Sequence, residues 1–427
     1  MLGLFLWQPS ETWSQEGGAA ARSELEKLPY RQAPIDYFSP QTDDPVGRLK
    51  ERLERGELTL EYHEAQGYLP ALLQVLDVPV SSQMLVFAKN SVNARLISPT
   101  NPRALYFNDE VYVGWVPGAP ALEISAVDPH KGGMFYTLRQ QADQPPRLVR
   151  EESCLLCHAS ANALNVPGHL LRSFLTDPQG NPTQGLSRID HDTPFSQRWG
   201  GWFVTGDFGA LPHRGNLVTA AEVSERLRAP ATPGRAITLK RQFDVVKYPS
   251  AHSDIVALLV HDHQIHFHNL LTRINYEERL RSEKQPLADG EAPLKLTDSE
   301  ERLVRYLLFV DEPPLEQPIL GGSTFENWFP RQGPRDRQGR SLRKFNLETR
   351  LFEFRCSYLV YSRGFAALPD AVRERIYHRL WDILTSERPD PPYSRLPQAE
   401  RTAIREILGE TAPGLPEWWR EGLGIRR

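Results

Sequence analysis

From residue 82 onward the hydrophobic pattern shortens to the repeat of a β-strand. Met84-Leu85-Val86-Phe87, Ala104-Leu105-Tyr106-Phe107, Val111-Tyr112-Val113-Gly114-Trp115, Leu122-Glu123-Ile124-Ser125-Ala126-Val127 and Met134-Phe135-Tyr136-Thr137-Leu138 are β-favouring runs. Asn-Asp, Pro-Gly and Gly-Gly turn signals separate them. Five such runs so close together predict an antiparallel meander, which commits residues 84–138 before anything else is considered.

What surrounds the meander is different. Residues 44–76 hold helical candidates, the second running from His63 to Val78 with Leu69, Leu72, Leu73 and Leu76 at helical spacing. Beyond the meander, 139–152 is polar, and Ser153 is placed to cap a short helix. The stretch to about 235 is irregular, dense in Gly, Pro and aromatic residues. A long helix follows at roughly 253–282, then the polar linker Lys284 to Glu300 and a Pro/Gly-rich excursion over 311–342 expected to wrap the surface. Pro369 and Pro397 open two further helices, the first with the apolar face Val372, Ile376, Leu380 and Ile383. With 36 Pro and 29 Gly among 427 residues, loops carry much of the fold. The expectation is an α+β chain in three parts forming one integrated unit: a helical N-terminus and β meander (1–145), an irregular segment (146–235) and a mainly helical C-terminal part (236–427).

The formal charge of −4 supplies no basic field for nucleic acid or for an anionic membrane. No window reaches the ~18 consecutive apolar residues of a membrane span. The N-terminal Met1-Leu-Gly-Leu-Phe-Leu-Trp7 lacks a basic flank and is too short for an intact signal peptide.

The chemistry concentrates in Cys154-x-x-Cys157-His158, the haem c attachment pattern. Two thiols one helical turn apart can add to the two vinyl groups of one porphyrin, and the adjacent imidazole then reaches the iron. Three other readings remain: a zinc site using Cys154, Cys157, His169 and one more ligand; a thioredoxin-like dithiol, which needs a βαβ frame; and two buried cysteines beside an unrelated histidine. Covalent haem requires an exported, for instance periplasmic, location. Cys356, in the apolar run 351–360, reads as a small buried hydrophobe.

The second axial position decides between electron transfer and small-molecule chemistry. The chain has three methionines and none after Met134, so a ligand must come from upstream, from a histidine, or from nowhere. On the wheel of the 253–282 helix, His263 falls in the middle of the stripe Val256, Leu259, Phe267, Leu270 and Ile274, with His266 at its edge. His261 and His268 fall on the opposite, polar side, where solvation is expected. His263 is therefore the leading distal candidate and Met134, after Gly132-Gly133, a second; His169 and His191 can line the pocket. Trp199, Trp202 and Phe203 are candidates to pack on a porphyrin, and Arg188 or Arg198 to pair with a propionate. His378 reads as solvated.

These residues carry a resemblance. Arg103-Ala-Leu-Tyr-Phe-Asn-Asp109 with Val111–Trp115, Cys154–His158, Arg198-Trp-Gly-Gly-Trp-Phe-Val-Thr205, Arg355-Cys-Ser-Tyr-Leu-Val-Tyr-Ser362 and Pro413-Gly-Leu-Pro-Glu-Trp418 resemble a family of uncharacterised exported bacterial proteins with one haem c motif, labelled cytochrome c domain proteins. The resemblance spans roughly residues 83–420. It implies covalent haem on Cys154 and Cys157, His158 on the iron and an exported location. The 153 residues before the motif and the missing downstream methionine argue against the compact all-helical cytochrome c fold. Two activities are open: electron transfer with a redox partner protein or small-molecule oxidant, or a haem enzyme or gas/peroxide-binding protein in which His263 or His266 acts as a distal acid/base. A zinc-stabilised module without haem is the third possibility.

Overall fold

A computed structural model describes residues 28–229, 238–284 and 295–424. The N-terminal Met1–Trp7 run and most of the 284–300 linker lie outside them. The elements, in chain order, begin with helices α1 (Pro45–Glu54) and α2 (Leu69–Val75). Strands β1 (Met84–Val86), β2 (Arg103–Phe107), β3 (Val111–Trp115), β4 (Ala121–Asp128), β5 (Gly132–Arg139) and β6 (Leu148–Arg150) follow, then α3 (Leu155–His158), β7 (Arg172–Thr176), β8 (Pro182–Arg188) and α4 (Ala220–Arg228). The remainder is helical: α5 (Ile255–Lys284), α6 (Asp298–Leu307), α7 (Phe325–Trp328), α8 (Arg363–Ala366), α9 (Asp370–Thr385), α10 (Gln398–Thr411) and α11 (Glu417–Gly422).

β1 to β6 form one antiparallel sheet in sequence order, so the meander expected from the sequence is present, with β6 as an added edge strand. The architecture is mixed α+β and not all-helical. Because side chains alternate across a pleated strand, the register divides the sheet into two faces. Leu85, Tyr106, Val113, Ile124, Met134 and Tyr136 point to one face and pack with Val46, Leu49, Leu69, Leu72 and Leu73 of the N-terminal segment. Asp44 ties this layer down: its carboxylate accepts the first backbone N–H groups of α1, from Val46 and Gly47, and Tyr136 Oη donates to it at 2.7 Å.

The opposite face carries Met84, Val86, Phe107, Tyr112 and Val127 and packs on α5. Asp254 caps that helix through the N–H groups of Val256 and Ala257. From Ile255 to Tyr276 every residue of α5 is buried, with the sheet on one side and the C-terminal helices on the other. This overturns the wheel argument for His261 and His268. A helix enclosed on all sides has no solvated face, so polarity along it marks hydrogen-bonding neighbours rather than water. Arg375 of α9 joins α5 to α6 through Glu278 and Glu300, at 3.3 and 2.5 Å.

Other expectations change in detail. Ser153 does not cap; α3 begins after Cys154 without a side-chain cap. The segment before residue 235 contains the β7–β8 hairpin. The 311–342 excursion is not merely a wrap, since Leu315, Ile319, Phe325 and Phe329 are in the core. Pro369 and Pro397 directly precede α9 and α10, and Val372, Ile376, Leu380 and Ile383 are buried. Cys356 is fully buried.

Candidate functional site

The chain leaves β6, turns through Glu152–Cys154 and winds one turn as α3, which places Cys154 and Cys157 one turn apart. Both are free thiols, Cys154 half-buried and Cys157 exposed. Between them Leu156 stands 88% exposed, an apolar side chain with no protein cover. The His158 ring packs at a tilt against Phe135, centroids 4.5 Å apart. Its Nδ1 lies 3.0 Å from the Gly168 carbonyl, which fixes that nitrogen as the N–H donor, and Nε2 has no partner among the described residues. Burial, followed by the nearby Arg172 and Arg103 charges, pushes this imidazole down to about 4 against the pull of the Gly168 bond. It is neutral at pH 7, with its lone pair on Nε2. A metal-binding histidine is typically prepared in this way, with the far nitrogen donating to a carbonyl that sets ring orientation and tautomer.

The rival readings of the motif fare differently. A reactive dithiol has a lowered thiol pKa, whereas burial and the carboxylates of Glu151 and Glu123 push Cys154 up to about 11. Among the described residues no three His, Cys, Asp or Glu side chains converge to hold a metal ion, so the proposed zinc set with His169 is not assembled. A porphyrin supplies four of its iron's ligands itself, so one or two protein ligands suffice.

Neither distal candidate from the sequence is placed for that role. His263 is buried as expected, but both its ring nitrogens are engaged: Nδ1 lies 2.6 Å from His191 Nδ1 and Nε2 2.7 Å from Ser357 Oγ. Whichever tautomer it adopts, one nitrogen donates and the other accepts, leaving no lone pair for iron. Met134 fails for another reason. Strand alternation puts it on the sheet face opposite Phe135, hence away from His158 and among the N-terminal helices. The Gly132-Gly133 pair before it serves the fold: a Cβ at Gly132, φ +80°, would lie 2.4 Å from the Pro167 carbonyl oxygen.

His191 and His266 belong to the His263 side of α5. His191 stacks on Tyr306 at 3.8 Å, and Asp192 Oδ1 lies 2.8 Å from its Nε2 without the alignment of a hydrogen bond. His266 Nε2 faces Arg302 at 3.4 Å. Arg198 is buried against Asp262 at 3.1 Å, with Trp199 Nε1 on the same carboxylate, so it is spent as a structural ion pair. Arg188 faces Asp190 at 3.5 Å. His378 is partly exposed and stacks on Trp418.

On the His158 side the sheet is only half covered. Arg103, Leu105, Glu123, Ser125 and Thr137 share the face of Phe135 and Tyr112 and are half-buried, whereas Leu122, Ile124 and Leu138, facing the other way from the same strands, are buried. In their midst Gly114 presents no side chain, and the atoms nearest to a Cβ there belong to its cross-strand neighbours Leu105 and Glu123, at 3.4 Å and beyond. Ser91 and Asn93 both donate to Glu123, and Val92 between them is 78% exposed; Val149, on the same face of β6, is 38% exposed. The motif thus adjoins a shallow, partly apolar sheet face bordered by exposed hydrophobics.

Two further histidines lie here, His261, which the helical wheel assigns to solvent, and His169, which the sequence offers as a pocket-lining residue. His261, expected in solvent, packs on Phe107, Tyr112 and Trp202, and neither ring nitrogen has a partner among the described residues. His169 sits between Tyr112 and Phe135, 4.6 and 6.1 Å from their centroids, with both ring nitrogens sealed and unpartnered. The sequence signal for His169 was its place directly after a glycine, eleven residues past the motif's histidine. Comparison with protein-family models, curated proteins and solved structures found no match to this chain.

Proposed function

We propose that this chain is an exported mono-haem c-type electron-transfer protein, its haem held covalently by Cys154 and Cys157, with His158 as one axial ligand. The observation that carries the reading is His158: neutral, with Nδ1 fixed by the Gly168 carbonyl and Nε2 free, directly beside two unpaired thiols one turn apart. Attachment adds each S–H across one vinyl group, forming a C–S bond as the C=C becomes single, with no net loss of electrons. The bound group would supply a one-electron iron couple.

The residues present fit such a group. The exposed Leu156 and the half-buried Leu105 on the same sheet face as Phe135 offer apolar surface, and Arg172, which lowers the His158 pKa, brings cationic charge for propionates, whereas Arg103 is already paired with Glu123 at 2.8 Å. The enzyme reading relied on His263 or His266 as a distal acid/base, and both lie on the far side of α5, engaged with Ser357, His191 and Arg302. Electron carriage therefore stands first, with a redox partner protein as the exchange partner. Among the described residues no helix is long and apolar enough to cross a membrane; export follows from the attachment chemistry.

The test is an absorption spectrum and an intact mass of the chain secreted through a haem c maturation system, beside Cys154→Ala/Cys157→Ala. The expected wild-type protein carries one haem that survives denaturation, and the double variant carries none. A wild-type chain without covalent haem would refute the proposal.

A further inference from the structure

The imidazole of His169 is the structure's clearest unmet demand. It is 4% exposed, and among the described residues it is the one histidine with both ring nitrogens buried and unpartnered. A neutral imidazole has one donor and one acceptor, and burying both without partners is costly unless something outside the protein claims them. Its backbone, by contrast, is held at both ends. The Asn269 amide of α5 accepts the His169 N–H at 2.9 Å and donates to the His169 carbonyl at 2.8 Å. Gly168 is glycine because a Cβ there would come within 2.3 Å of the same Asn269 Oδ1. The Gly168 carbonyl is also the group that fixes His158 Nδ1. One clamp on α5 thus positions two imidazoles, and both border the Phe135 ring, at 4.5 and 6.1 Å.

A ring whose main chain is pinned and whose nitrogens are left free is organised for a ligand that arrives later. His263 shows the alternative, since every nitrogen there is already spent. His261 also lacks partners, but α5 holds it only as part of the helix and no side chain is dedicated to placing it. Resting on the haem c reading above, we infer that His169 is the second axial ligand of the iron, so that the centre is a six-coordinate bis-imidazole site built from residues 154–169 and braced by Asn269.

The test compares wild type, His169→Ala, His169→Phe and His261→Ala, each secreted through a haem c maturation system. Haem content is read by mass and pyridine haemochrome. The ferric spin state is read by electron paramagnetic resonance and the open position by carbon monoxide. The expected result is a low-spin wild type that excludes carbon monoxide. Both His169 variants should keep covalent haem, turn high-spin and bind carbon monoxide, and added imidazole should return His169→Ala to low spin, which shows that its fold is intact. A high-spin wild type, a low-spin spectrum that survives both His169 substitutions, or one lost in His261→Ala instead, would overturn the inference while leaving covalent attachment standing. Absence of haem from wild type would refute the attachment itself, and the inference with it.

Discussion

His263 and His169 are both buried and both neutral, yet they stand in opposite relation to their surroundings. On the C-terminal side of α5, His263 bridges His191 and Ser357 in a closed hydrogen-bonded chain. On the sheet side, His169 and His261 project into an aromatic box of Phe107, Tyr112, Phe135 and Trp202 with no ring partners. Burial pushes the pKa of all three down, so burial alone does not separate a structural histidine from a functional one. Satisfaction does. A ring with two partners contributes to stability. A ring with none detracts from it and persists where a function requires it.

The largest expected effect is acid sensitivity, which strikes both regions. Burial sets His261 at about 3, as it does His213, which is packed against Trp199 and Phe208, and sets His266 and His268 at about 4. These values lie below those of the unfolded chain, near 6.5, so between the two the unfolded state binds protons that the native state refuses. Above pH 7 both states are neutral and nothing is lost. As pH falls from 6.5 to 5, each such histidine removes about 1.5 kcal/mol, and the four together about 6 kcal/mol. Urea midpoints of the haem-free chain at pH 7, 6 and 5 should fall steeply; a flat profile would mean that these rings are hydrated, and that the contrast between the two sides of α5 is not one of burial and partners.

Next in size is loss of the closed chain. His263→Ala leaves His191 Nδ1 and Ser357 Oγ without their partner and opens a cavity against Tyr306 and Phe309. A cost of about 3–4 kcal/mol is expected, with covalent haem attachment retained in the protein that folds. Chemical denaturation measures the first and haem content the second. A His263→Ala chain of normal stability that loses its low-spin spectrum would restore His263 as an iron ligand and erase the difference between the two sides of α5.

The meander was legible because a period of two between turn signals has few other solutions: Arg103–Phe107, Val111–Trp115 and Ala121–Asp128 fall within a residue of the runs seen in the sequence. Cys154, Cys157 and His158 stand out in the sequence by their spacing alone, and the structure adds only that both thiols are free and lie one turn apart beside the imidazole. What escaped is what depends on tertiary context. The wheel of α5 assumed one wet face, whereas sheet and C-terminal helices enclose it on all sides, so His261 was assigned to water and is buried. Met134 drew attention through the close backbone approach that Gly132-Gly133 permits, but the parity of its strand position puts it on the sheet face opposite Phe135. His169 gave almost no periodic signal, because the segment that carries it is neither helix nor strand and is held by Asn269, a hundred residues away.

The smallest effect carries the sharpest contrast, since its sign differs between two forms of the same protein. His169→Phe keeps an aromatic ring of similar size in the box formed by Tyr112 and Phe135 and removes two buried nitrogens that have no partners. In the haem-free chain this substitution should raise stability by about 1–2 kcal/mol, the penalty of leaving such groups unpaired. Most core substitutions destabilise, so a gain here would be diagnostic of a position kept for something other than folding. In the haem-loaded protein the same change should give no such gain, because the iron would already have claimed one of those nitrogens. Thermal or urea unfolding of the two forms, with and without the substitution, makes a closed thermodynamic cycle. A His169→Phe chain destabilised equally in both forms would show that the ring is satisfied without haem, and would move His169 into the same class as His263.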